Sequence, residues 1–313
     1  MPILTVLGPT AVGKTDIAMA LADRLPCHLI SMDSAMVYRG MDIGTAKPDR
    51  DTMARYPHAL IDIREPADAY SAANFVADAD RQVSIALGAG RLPVIVGGTM
   101  LYARAFRDGL ADLPRADPEL RARIVDQASA QGWQALYERL QRVDPEAAAN
   151  IHPNNTQRLQ RALEVIETTG RPISELWREQ GSATAAVRLG EELIEVAILP
   201  DNRDELHRRI AERFDAMLTD GFESEVVALR AAGSLHRDLP SMRAVGYRQM
   251  WQHLEGECDA LEMRDKAVAA TRQLAKRQLT WLRGWGWIAQ LTWGDGAGLA
   301  EQILQLANGR LLQ

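Results

Sequence analysis

Short runs of consecutive apolar residues alternate with segments of helical periodicity through the first third of the chain. Runs of this kind are typical of strands buried on both faces of a parallel sheet, and they occupy residues 3–8, 27–34, 58–63 and 92–99. Between them, one helix is expected to begin near Lys14, and another to follow a cap at Ser71 and stop at Gly88 or Gly90. This alternation predicts an α/β fold with a parallel sheet and helices on both faces.

The pattern changes after the fourth apolar run. Residues 114–190 show only helical periodicity, interrupted by turn residues, before an apolar strand returns at 193–200. From Asn202 onward the chain is expected to be helical. We therefore expect one α/β core built from residues 1–113 and 191–313, with an all-helical insertion at 114–190.

Composition and charge narrow the class of protein. The chain has 313 residues, 47% hydrophobic and 25% charged, as in ordinary globular proteins. No apolar run approaches the roughly 20 residues that span a bilayer, and no signal peptide pattern opens the chain, so a cytoplasmic protein is expected. Cys27 and Cys258 match no zinc spacing. The net charge of −6 argues weakly against nucleic acid, but basic residues cluster within 203–213 and 264–283, and binding depends on local patches.

The segment between the first strand and the first helix is GPTAVGKT, which matches the phosphate-binding pattern G-x-x-x-x-G-K-[ST]. Its glycines let backbone N–H groups point at phosphate oxygens, its lysine supplies a positive charge, and the helix N-terminus adds its positive end. The Thr15 hydroxyl is a candidate ligand for Mg²⁺. The residues expected to hold phosphate groups are Gly8, Pro9, Thr10, Ala11, Val12, Gly13, Lys14 and Thr15.

Acidic and hydroxyl residues follow the other strands. A kinase or ATPase is expected to place an acidic Mg²⁺ ligand at the end of an apolar strand, but the fourth strand ends in Gly97, Gly98 and Thr99. The acid is Asp33, after the second strand, and it is either a general base or a turn cap. Because the carboxyl ends of parallel strands share one edge, Asp33, Thr10 and Thr99 are expected to converge there. The residues alone leave open a pyrophosphate-using enzyme, a P-loop kinase and an NTP-gated RNA-binding switch.

Six longer segments form motifs, and they extend over nearly the whole chain. They are GPTAVGKT (8–15), DSAMVYRGMDIGTAKP (33–48), VGGTMLYARAFRDGL (96–110), NTQRLQRALEVIETTGRP (155–172), MRAVGYRQM (242–250) and TRQLAKRQLTWLRG (271–284). Together these segments resemble the tRNA dimethylallyltransferase family, the bacterial tRNA isopentenyltransferases.

The resemblance implies a specific reaction. Members of this family transfer a dimethylallyl group from dimethylallyl diphosphate to N6 of the adenosine just 3′ of the anticodon, in tRNAs that read codons beginning with U. The loop at 8–15 would then hold an isoprenoid diphosphate with Mg²⁺. Asp33 would accept a proton from the amine, and Thr10 and Thr99 would position the amine or the diphosphate. Of two adjacent arginines in the helix after the last strand, Arg208 is favoured over Arg209 as a catalytic and diphosphate-binding residue.

The resemblance also implies a tRNA anticodon stem-loop as the partner, from which the target base must be extruded. The helical insertion at 114–190 would then bind this tRNA. The residues expected to contact tRNA are Asp33, Ser34, Ala35, Met36, Thr99, Arg121, Gln157, Arg158, Leu159, Gln160, Arg161, Met242, Arg243, Tyr247, Arg272, Lys276 and Arg277. Trp281, Trp285 and Trp287 are expected in the core and not as stacking platforms.

The resemblance favours one of the three functions left open above. A kinase would explain the loop and the two arginines, but not the helical insertion or the basic C-terminal helix. A switch would leave Asp33 and the Gly-Thr turn unexplained. Some eukaryotic relatives carry a C-terminal zinc finger, whereas this chain has no C-terminal Cys/His cluster, so no structural zinc is expected. A monomer fits one-to-one binding of tRNA.

Overall fold

The structure is a computed structural model that describes residues 1–111, 113–179 and 183–311. It divides into two compact units. The core unit comprises Met1–Arg107 and Ala185–Gln313, and the helical unit comprises Asp108–Thr184. Residues 180–182, near the end of the expected insertion, lie outside the described residues.

Six parallel strands form one sheet among the described residues, in the order β3-β2-β4-β1-β5-β6. The strands are β1 Ile3–Leu7, β2 Cys27–Met32, β3 His58–Ala59, β4 Leu92–Gly97, β5 Leu193–Leu199 and β6 Ala289–Thr292. β1 is central and pairs with β4 on one side and β5 on the other. Because all strands are parallel, the loops that follow β1, β2 and β4 lie at the same edge, the carboxyl edge.

Fifteen helices are described. They are α1 Lys14–Ala22, α2 Arg50–Arg55, α3 Ala72–Gly88, α4 Met100–Asp108, α5 Pro118–Gln131, α6 Trp133–Val143, α7 Pro145–Asn150, α8 Thr156–Thr169, α9 Ile173–Glu179, α10 Ala185–Leu189, α11 Arg203–Thr219, α12 Phe222–Ala231, α13 Tyr247–Leu254, α14 Ala260–Gly284 and α15 Gly296–Leu311. No described helix is long and apolar enough to cross a membrane.

Alternate side chains of β1 pack on opposite faces of the sheet. Ile3 and Leu7 belong to a large apolar cluster with residues of α3, α11 and α14. Leu4 and Val6 belong to a second cluster with residues of α1 and α15. Every residue of β1 is buried, which explains why the strand has apolar side chains at every position except Thr5 and no charged residue. The predicted α/β fold with helices on both faces of a parallel sheet is confirmed.

Two elements differ from the sequence prediction. The third strand was expected over 58–63, but β3 ends at Ala59 because Leu60 and Asp62 have φ angles of 67° and 55°. Such left-handed residues cannot continue an extended strand. The chain after Asn202 is not wholly helical, because β6 pairs with β5 as an edge strand. β6 has only four residues, partly buried at every second position, so it lacks the long apolar run of the other strands.

The helical unit has an apolar core of its own, which includes Leu120 of α5, Leu140 of α6 and Leu163 of α8. Asp144 is buried between two of its helices. One Asp144 carboxylate oxygen accepts from the backbone N–H of Ala147 at the start of α7, and the other accepts from Ser174 in α9. This single side chain therefore satisfies N–H groups that the starts of two helices leave unpaired.

Gly44 generates a prediction about packing in the core unit. A Cβ at Gly44 would lie 2.1 Å from Phe222 Cε2 and 2.6 Å from Tyr247 Cε2. Gly44→Ala should therefore lower the free energy of unfolding by about 1–3 kcal/mol, measured by urea denaturation. Gly88→Ala is the matched control, since nothing lies within 4 Å of a Cβ there, and it should be neutral or stabilising by up to about 1 kcal/mol. Equal effects of the two substitutions would contradict the packing.

Candidate active site

The loop from Gly8 to Thr15 joins the central strand β1 to α1 at the carboxyl edge of the sheet. Gly13, the residue before α1, has a φ of 81°, and Ala11 has a φ of 65°. These left-handed residues turn successive backbone N–H groups toward the inside of the loop, next to the positive end of α1. The loop is therefore shaped to bind an anion through its backbone.

Lys14 adds a positive charge inside this loop. Its Nζ donates a hydrogen bond of 2.7 Å to the carbonyl oxygen of Pro9. Burial lowers the pKa of Lys14 to about 8, the charge of Asp33 opposes this shift, and the charge of Arg213 adds to it. A bound anion would strongly stabilise the charged form of this lysine, so Lys14 favours the binding of an anion in the loop.

Arg213 is the arginine that reaches the loop. Its Nη2 donates a hydrogen bond of 2.5 Å to Oγ1 of Thr10. Burial lowers the pKa of Arg213, the charge of Asp33 raises it in part, and the charge of Arg209 lowers it further. Two cations with lowered pKa values therefore lie beside the loop, with the carboxylate of Asp33 acting on both.

The expectation for Arg208 is corrected by this geometry. Arg208 is exposed and forms ion pairs with Glu205 and Glu212 on its own helix, α11. Arg209 stacks on the ring of Trp293, 4.2 Å from its centroid. Neither makes the hydrogen bond to the loop that Arg213 makes.

A signal for Arg213 is present in the sequence. The buried residues of α11 are Leu206, Ile210, Phe214 and Met217. Arg213 lies seven residues after Leu206 and three after Ile210, so it falls on this apolar stripe. A cation on the buried face of an amphipathic helix needs an anionic or polar partner, which marks it as a candidate ligand-binding residue.

Asp33 follows β2 and is partly buried. Its Oδ1 accepts backbone hydrogen bonds from Ala35 at 2.8 Å and Met36 at 3.2 Å. Thr99, which follows β4, accepts a hydrogen bond of 3.1 Å on its Oγ1 from the backbone N–H of Ser34. Asp33 therefore caps its own turn, and its charge also acts on Lys14 and Arg213. Its role as a general base stays a prediction.

Gln278 of α14 joins two of these loops. Its Oε1 accepts from the backbone N–H of Thr10 at 2.9 Å, and its Nε2 donates to the carbonyl oxygen of Gly98 at 2.7 Å. The segments after β1, β2 and β4 are therefore connected by hydrogen bonds at the carboxyl edge, as the three sequence motifs predicted.

The core unit buries two residues that were expected to contact tRNA. Met242 and Tyr247 are both fully buried, and the Tyr247 hydroxyl donates to Glu225 Oε1 at 2.5 Å. Their side chains pack in the apolar core and cannot touch an RNA bound at the surface, which corrects the expectation for both. Arg243 between them is exposed.

Helix α14 presents part of its basic face to solvent. Lys276 and Arg277 are exposed, whereas Arg272 is partly buried and its Nε has no hydrogen-bond partner among the described residues. Of the three tryptophans expected in the core, Trp285 is buried, but Trp287 is 51% exposed and lies under the guanidinium of Arg107, 4.0 Å from its ring centroid.

The helical unit uses two of its expected RNA-binding arginines internally. Arg121 and Arg161 both donate to the carboxylate of Glu164, which is fully buried. Burial alone would raise the pKa of Glu164, but hydrogen bonds from Arg161, the Asp117 N–H and Arg121 hold it below its usual range. Removing one partner of such a buried ion pair destabilises a protein strongly.

The other residues of α8 that were expected to contact tRNA differ in their exposure to solvent. Leu159 is fully buried in the core of the helical unit, which corrects the expectation that it contacts tRNA. Gln160 donates from Nε2 to the carbonyl oxygen of Arg121 at 3.0 Å. Gln157 and Arg158 are exposed at the start of the helix.

The residues at the loop fit a diphosphate with its counter-ion better than a protein-held metal. No group of three or more His, Cys, Asp or Glu side chains among the described residues could hold a metal ion. At the loop the donors are the Thr15 hydroxyl and the Asp33 carboxylate, opposed by the cations of Lys14 and Arg213. Mg²⁺ commonly keeps most of its ligands from water and substrate phosphates, so this sparse donor set suits it.

The fold and the site define an α/β protein with a P-loop, two cations beside that loop, and a helical unit inserted in its chain. The sequence model described as IPP transferase matches residues 36–285, and the chain belongs to this family. The resemblance inferred from the sequence motifs is thereby confirmed.

Curated relatives match the chain over almost its whole length. It is 53% identical to tRNA dimethylallyltransferase 2 of Hahella chejuensis, covering 99% of this chain and 96% of that protein. It is 55% identical to the tRNA dimethylallyltransferase of Chromohalobacter salexigens, covering 98% and 96% respectively. These relatives are named as transferases, so the kinase alternative is not favoured.

Solved structures have the same fold. A full-length tRNA isopentenylpyrophosphate transferase from Bacillus halodurans is 37% identical, has a TM-score of 0.72, and matches over 99% of this chain and 96% of that one. A eukaryotic dimethylallyltransferase acting on tRNA has a TM-score of 0.79 at 22% identity, over 94% of this chain and 74% of that one. Because its sequence identity is only 22%, the similarity to the eukaryotic structure is evidence for the fold alone.

The low pKa of Lys14 predicts a pH dependence of anion binding. The folded pKa of about 8 lies below the ordinary 10.5, so Lys14 loses its proton in the folded protein as pH rises through about 8. Pyrophosphate affinity, measured by calorimetry, should therefore fall by about 10-fold or more between pH 7 and pH 9.5. Lys14→Met should bind weakly throughout and lack this decrease. Parallel pH profiles for the two proteins would contradict the assignment.

The same lowered pKa has a consequence for stability. Between pH 8 and pH 10.5 the unfolded state binds more protons at Lys14 than the folded state does. The contribution of Lys14 to stability should therefore be unfavourable below pH 8 and should improve as pH rises to 10.5. Lys14→Met should therefore be more stable than the native protein at pH 8. This difference in unfolding free energy, measured by urea denaturation, should shrink as pH rises to 10.5.

Substitutions of Arg213 and Arg208 should differ in their effect on pyrophosphate affinity. Arg213→Gln should weaken pyrophosphate binding by roughly 10-fold or more, because a charge-assisted hydrogen bond contributes about 1.5–3 kcal/mol. Arg208→Gln should change it by less than about 2-fold, since this exposed side chain pairs with Glu205 and Glu212. Calorimetric titration with pyrophosphate decides between them, and a larger loss at Arg208 would overturn the assignment to Arg213.

Proposed function

We propose that this chain transfers the dimethylallyl group of dimethylallyl diphosphate to N6 of the adenosine immediately 3′ of the anticodon, in tRNAs that read codons beginning with U. The products are N6-(dimethylallyl)adenosine and diphosphate. The observation that best supports this reaction is the arrangement of two cations, Lys14 and Arg213, beside one carboxylate, Asp33, at the loop after β1. The cations suit a leaving diphosphate, and the carboxylate suits an amine that must lose a proton.

The diphosphate occupies the loop from Gly8 to Thr15 in this proposal. Backbone N–H groups of the loop, Lys14 and Arg213 bind its oxygens and stabilise the charge that develops as it leaves. The Thr15 hydroxyl would hold Mg²⁺, which supplies further neutralisation of the diphosphate charge when it is bound. Arg213 exchanges its hydrogen bond to Thr10 Oγ1 for one to the diphosphate, and the Thr10 hydroxyl donates its own proton to the same group.

The transfer is a displacement at the allylic carbon. The N6 lone pair forms a bond to C1 of the dimethylallyl group, and the C1–O bond breaks with its electron pair going to the diphosphate oxygen. The N6 proton passes to the Asp33 carboxylate, so atoms and charge balance without a further reactant. The turn at Ser34 and Thr99 holds Asp33 in place and positions the amine.

The end of β4 favours this chemistry over phosphoryl transfer. Gly97 and Gly98 stand where a kinase or ATPase would need an acidic Mg²⁺ ligand. A Cβ at Gly97 would lie 2.0 Å from the carbonyl oxygen of Met32, so no larger residue fits there without displacing β2. This chain therefore lacks one of the parts on which phosphoryl transfer from ATP depends.

The RNA contacts of the core unit are proposed for exposed residues. Lys276 and Arg277 of α14 would bind backbone phosphates, and the exposed Arg243 and the partly buried Arg272 are proposed as further contacts. Ser34, Ala35 and Met36 would contact the extruded base, because they adjoin Asp33. Backbone contacts of this kind provide affinity, and contacts to the base provide specificity.

The helical unit would bind the anticodon stem-loop through the start of α8. Gln157 and Arg158 are exposed there, and both side chains suit bases or phosphates. Arg121, Gln160 and Arg161 would shape this surface through their internal hydrogen bonds, since two of them neutralise the buried Glu164. We expect a monomer that binds one tRNA in the cytoplasm.

The direct test supplies the protein with Mg²⁺, labelled dimethylallyl diphosphate and an unmodified anticodon stem-loop, without ATP. We expect the label on the adenosine 3′ of the anticodon. A matched RNA with guanosine at that position should receive none. ATP hydrolysis or phosphorylation of a small molecule, with no transfer of label, would overturn the proposal in favour of a kinase.

Asp33→Asn tests the proton acceptor. Its kcat should fall by about 10²–10⁴-fold, because general-base catalysis contributes a factor of that size. Pyrophosphate affinity should stay the same or increase, since the substitution removes a negative charge next to Lys14 and Arg213. Asp51→Asn, at an exposed position of α2, is the matched control and should keep full activity. A normal kcat for Asp33→Asn would remove Asp33 from the mechanism.

If Lys276 and Arg277 bind RNA phosphates, their removal should change the salt dependence of RNA binding. The double alanine variant should bind the stem-loop more weakly and reduce the slope of log K against log salt by about 2, roughly 1 for each phosphate contact. The control is Arg81→Ala with Arg91→Ala, which removes the same charge from exposed positions of α3 and the turn before β4. Equal slopes for the native protein and both variants would refute a backbone role for α14.

A further inference from the structure

Gln278 is a buried polar residue that the proposed chemistry does not use. It lies on α14, it is 7% exposed, and both ends of its side-chain amide are hydrogen-bonded to backbone groups of other segments. The oxygen accepts from Thr10 N–H in the diphosphate loop, and the nitrogen donates to Gly98 O after β4. A single side chain therefore spans two loops of the site.

The chemistry of the two partners requires an amide. A backbone N–H needs an acceptor and a backbone carbonyl needs a donor, so the orientation of the Gln278 amide is fixed by its neighbours. A carboxylate at this position has no proton to donate to Gly98, and an apolar side chain satisfies neither group. The contact is also close, because a Cβ at Gly98 would lie 2.5 Å from Gln278 Nε2.

The bridge joins the two halves of the site. Thr10, on one side, accepts a hydrogen bond from Arg213 on its Oγ1. Gly98, on the other side, precedes Thr99, whose Oγ1 accepts from Ser34 N–H beside Asp33. A continuous path of hydrogen bonds and adjacent residues therefore runs from the diphosphate cradle to the carboxylate, and Gln278 is its middle link.

We propose that Gln278 is a positioning residue, whose amide holds the diphosphate loop and the Gly98–Thr99 turn at a fixed separation and so sets the leaving group of the donor against Asp33. This inference rests on the proposed function for its kinetic consequence, but its structural part concerns anion binding alone. Misplacement of reacting groups by about 1 Å is enough to reduce a rate by roughly 100-fold, so a small shift of either loop matters.

Gln278→Met tests the bridge with a side chain of similar length that forms neither hydrogen bond. We expect its Kd for inorganic pyrophosphate, measured by calorimetry, to rise by roughly 10-fold while the binding stoichiometry stays at one. In the transfer assay we expect kcat to fall by about 10-fold or more, with the KM for the stem-loop within about 2-fold. Gln273→Met, at an exposed position of the same helix, is the matched control and should match the native protein.

The number of pyrophosphate molecules bound per molecule of Gln278→Met distinguishes a positioning role of Gln278 from a role in the stability of the fold. If Gln278 served only to hold the fold together, Gln278→Met would lower the thermal midpoint and the fraction of protein that binds, with an unchanged Kd in the fraction that remains. That result would overturn the proposal. An unchanged Kd with unchanged kcat would overturn it as well.

Gln278→Glu is a conservative variant that should recover pyrophosphate affinity at low pH. A protonated glutamic acid has the shape of glutamine, and it can accept from Thr10 N–H and donate to Gly98 O. Pyrophosphate affinity of this variant, relative to the native protein at the same pH, should recover as pH falls from 8 to 5. At pH 5 it should exceed that of Gln278→Met by about 5-fold or more. Equal affinity of the two variants at pH 5 would overturn the proposal.

Failure of the proposed function is distinguishable from failure of this inference. If the native protein binds pyrophosphate but transfers no label to RNA, the function is wrong, while the Kd values of the Gln278 variants still decide whether the amide positions the loop. If the native protein transfers label and the Gln278 variants bind and turn over normally, the inference alone is wrong.

Discussion

The site depends on keeping two partly buried cations, Lys14 and Arg213, next to an anion-binding loop. A buried charge without a full partner is unfavourable, and burial lowers the pKa values of both Lys14 and Arg213. One carboxylate, Asp33, offsets part of this cost, and a bound diphosphate would offset more. The rest of the core unit stabilises the arrangement, because β1 is central in the sheet and fully buried.

Each element of the core unit adds one part of the site. The parallel sheet brings the loops after β1, β2 and β4 to one edge, α11 supplies Arg213, and α14 supplies Gln278. An ion pair between Asp215 and Arg264, 2.6 Å apart, links these two helices away from the loop. Residues distant from the chemistry thereby fix the positions of groups that contact the donor. The helical unit, with its own apolar core and its buried Glu164, is built as a separate framework.

Local patterns were sufficient to predict much of this structure. The phosphate-binding loop, the strands β1, β2, β4 and β5 and the cap at Ser71 follow from short-range rules, and the structure has all of them. The sequence did not reveal β6, which is short and half-exposed. Arg213 could have been chosen over Arg208 from the apolar stripe of α11, but the contact of Gln278 with Thr10 spans 268 positions in the chain and leaves no local pattern. Tertiary packing decides such features, as it decides that Met242, Tyr247 and Leu159 are buried.

The central claim is that the cradle around Lys14 and Arg213 holds the diphosphate of a prenyl donor opposite Asp33. The most direct measurement is a crystal structure with Mg²⁺, pyrophosphate and an anticodon stem-loop. The account predicts pyrophosphate in the loop from Gly8 to Thr15, Arg213 bonded to it, and N6 of the extruded adenosine within hydrogen-bond distance of Asp33. Pyrophosphate bound elsewhere, or an adenosine whose N6 faces away from Asp33, would contradict it.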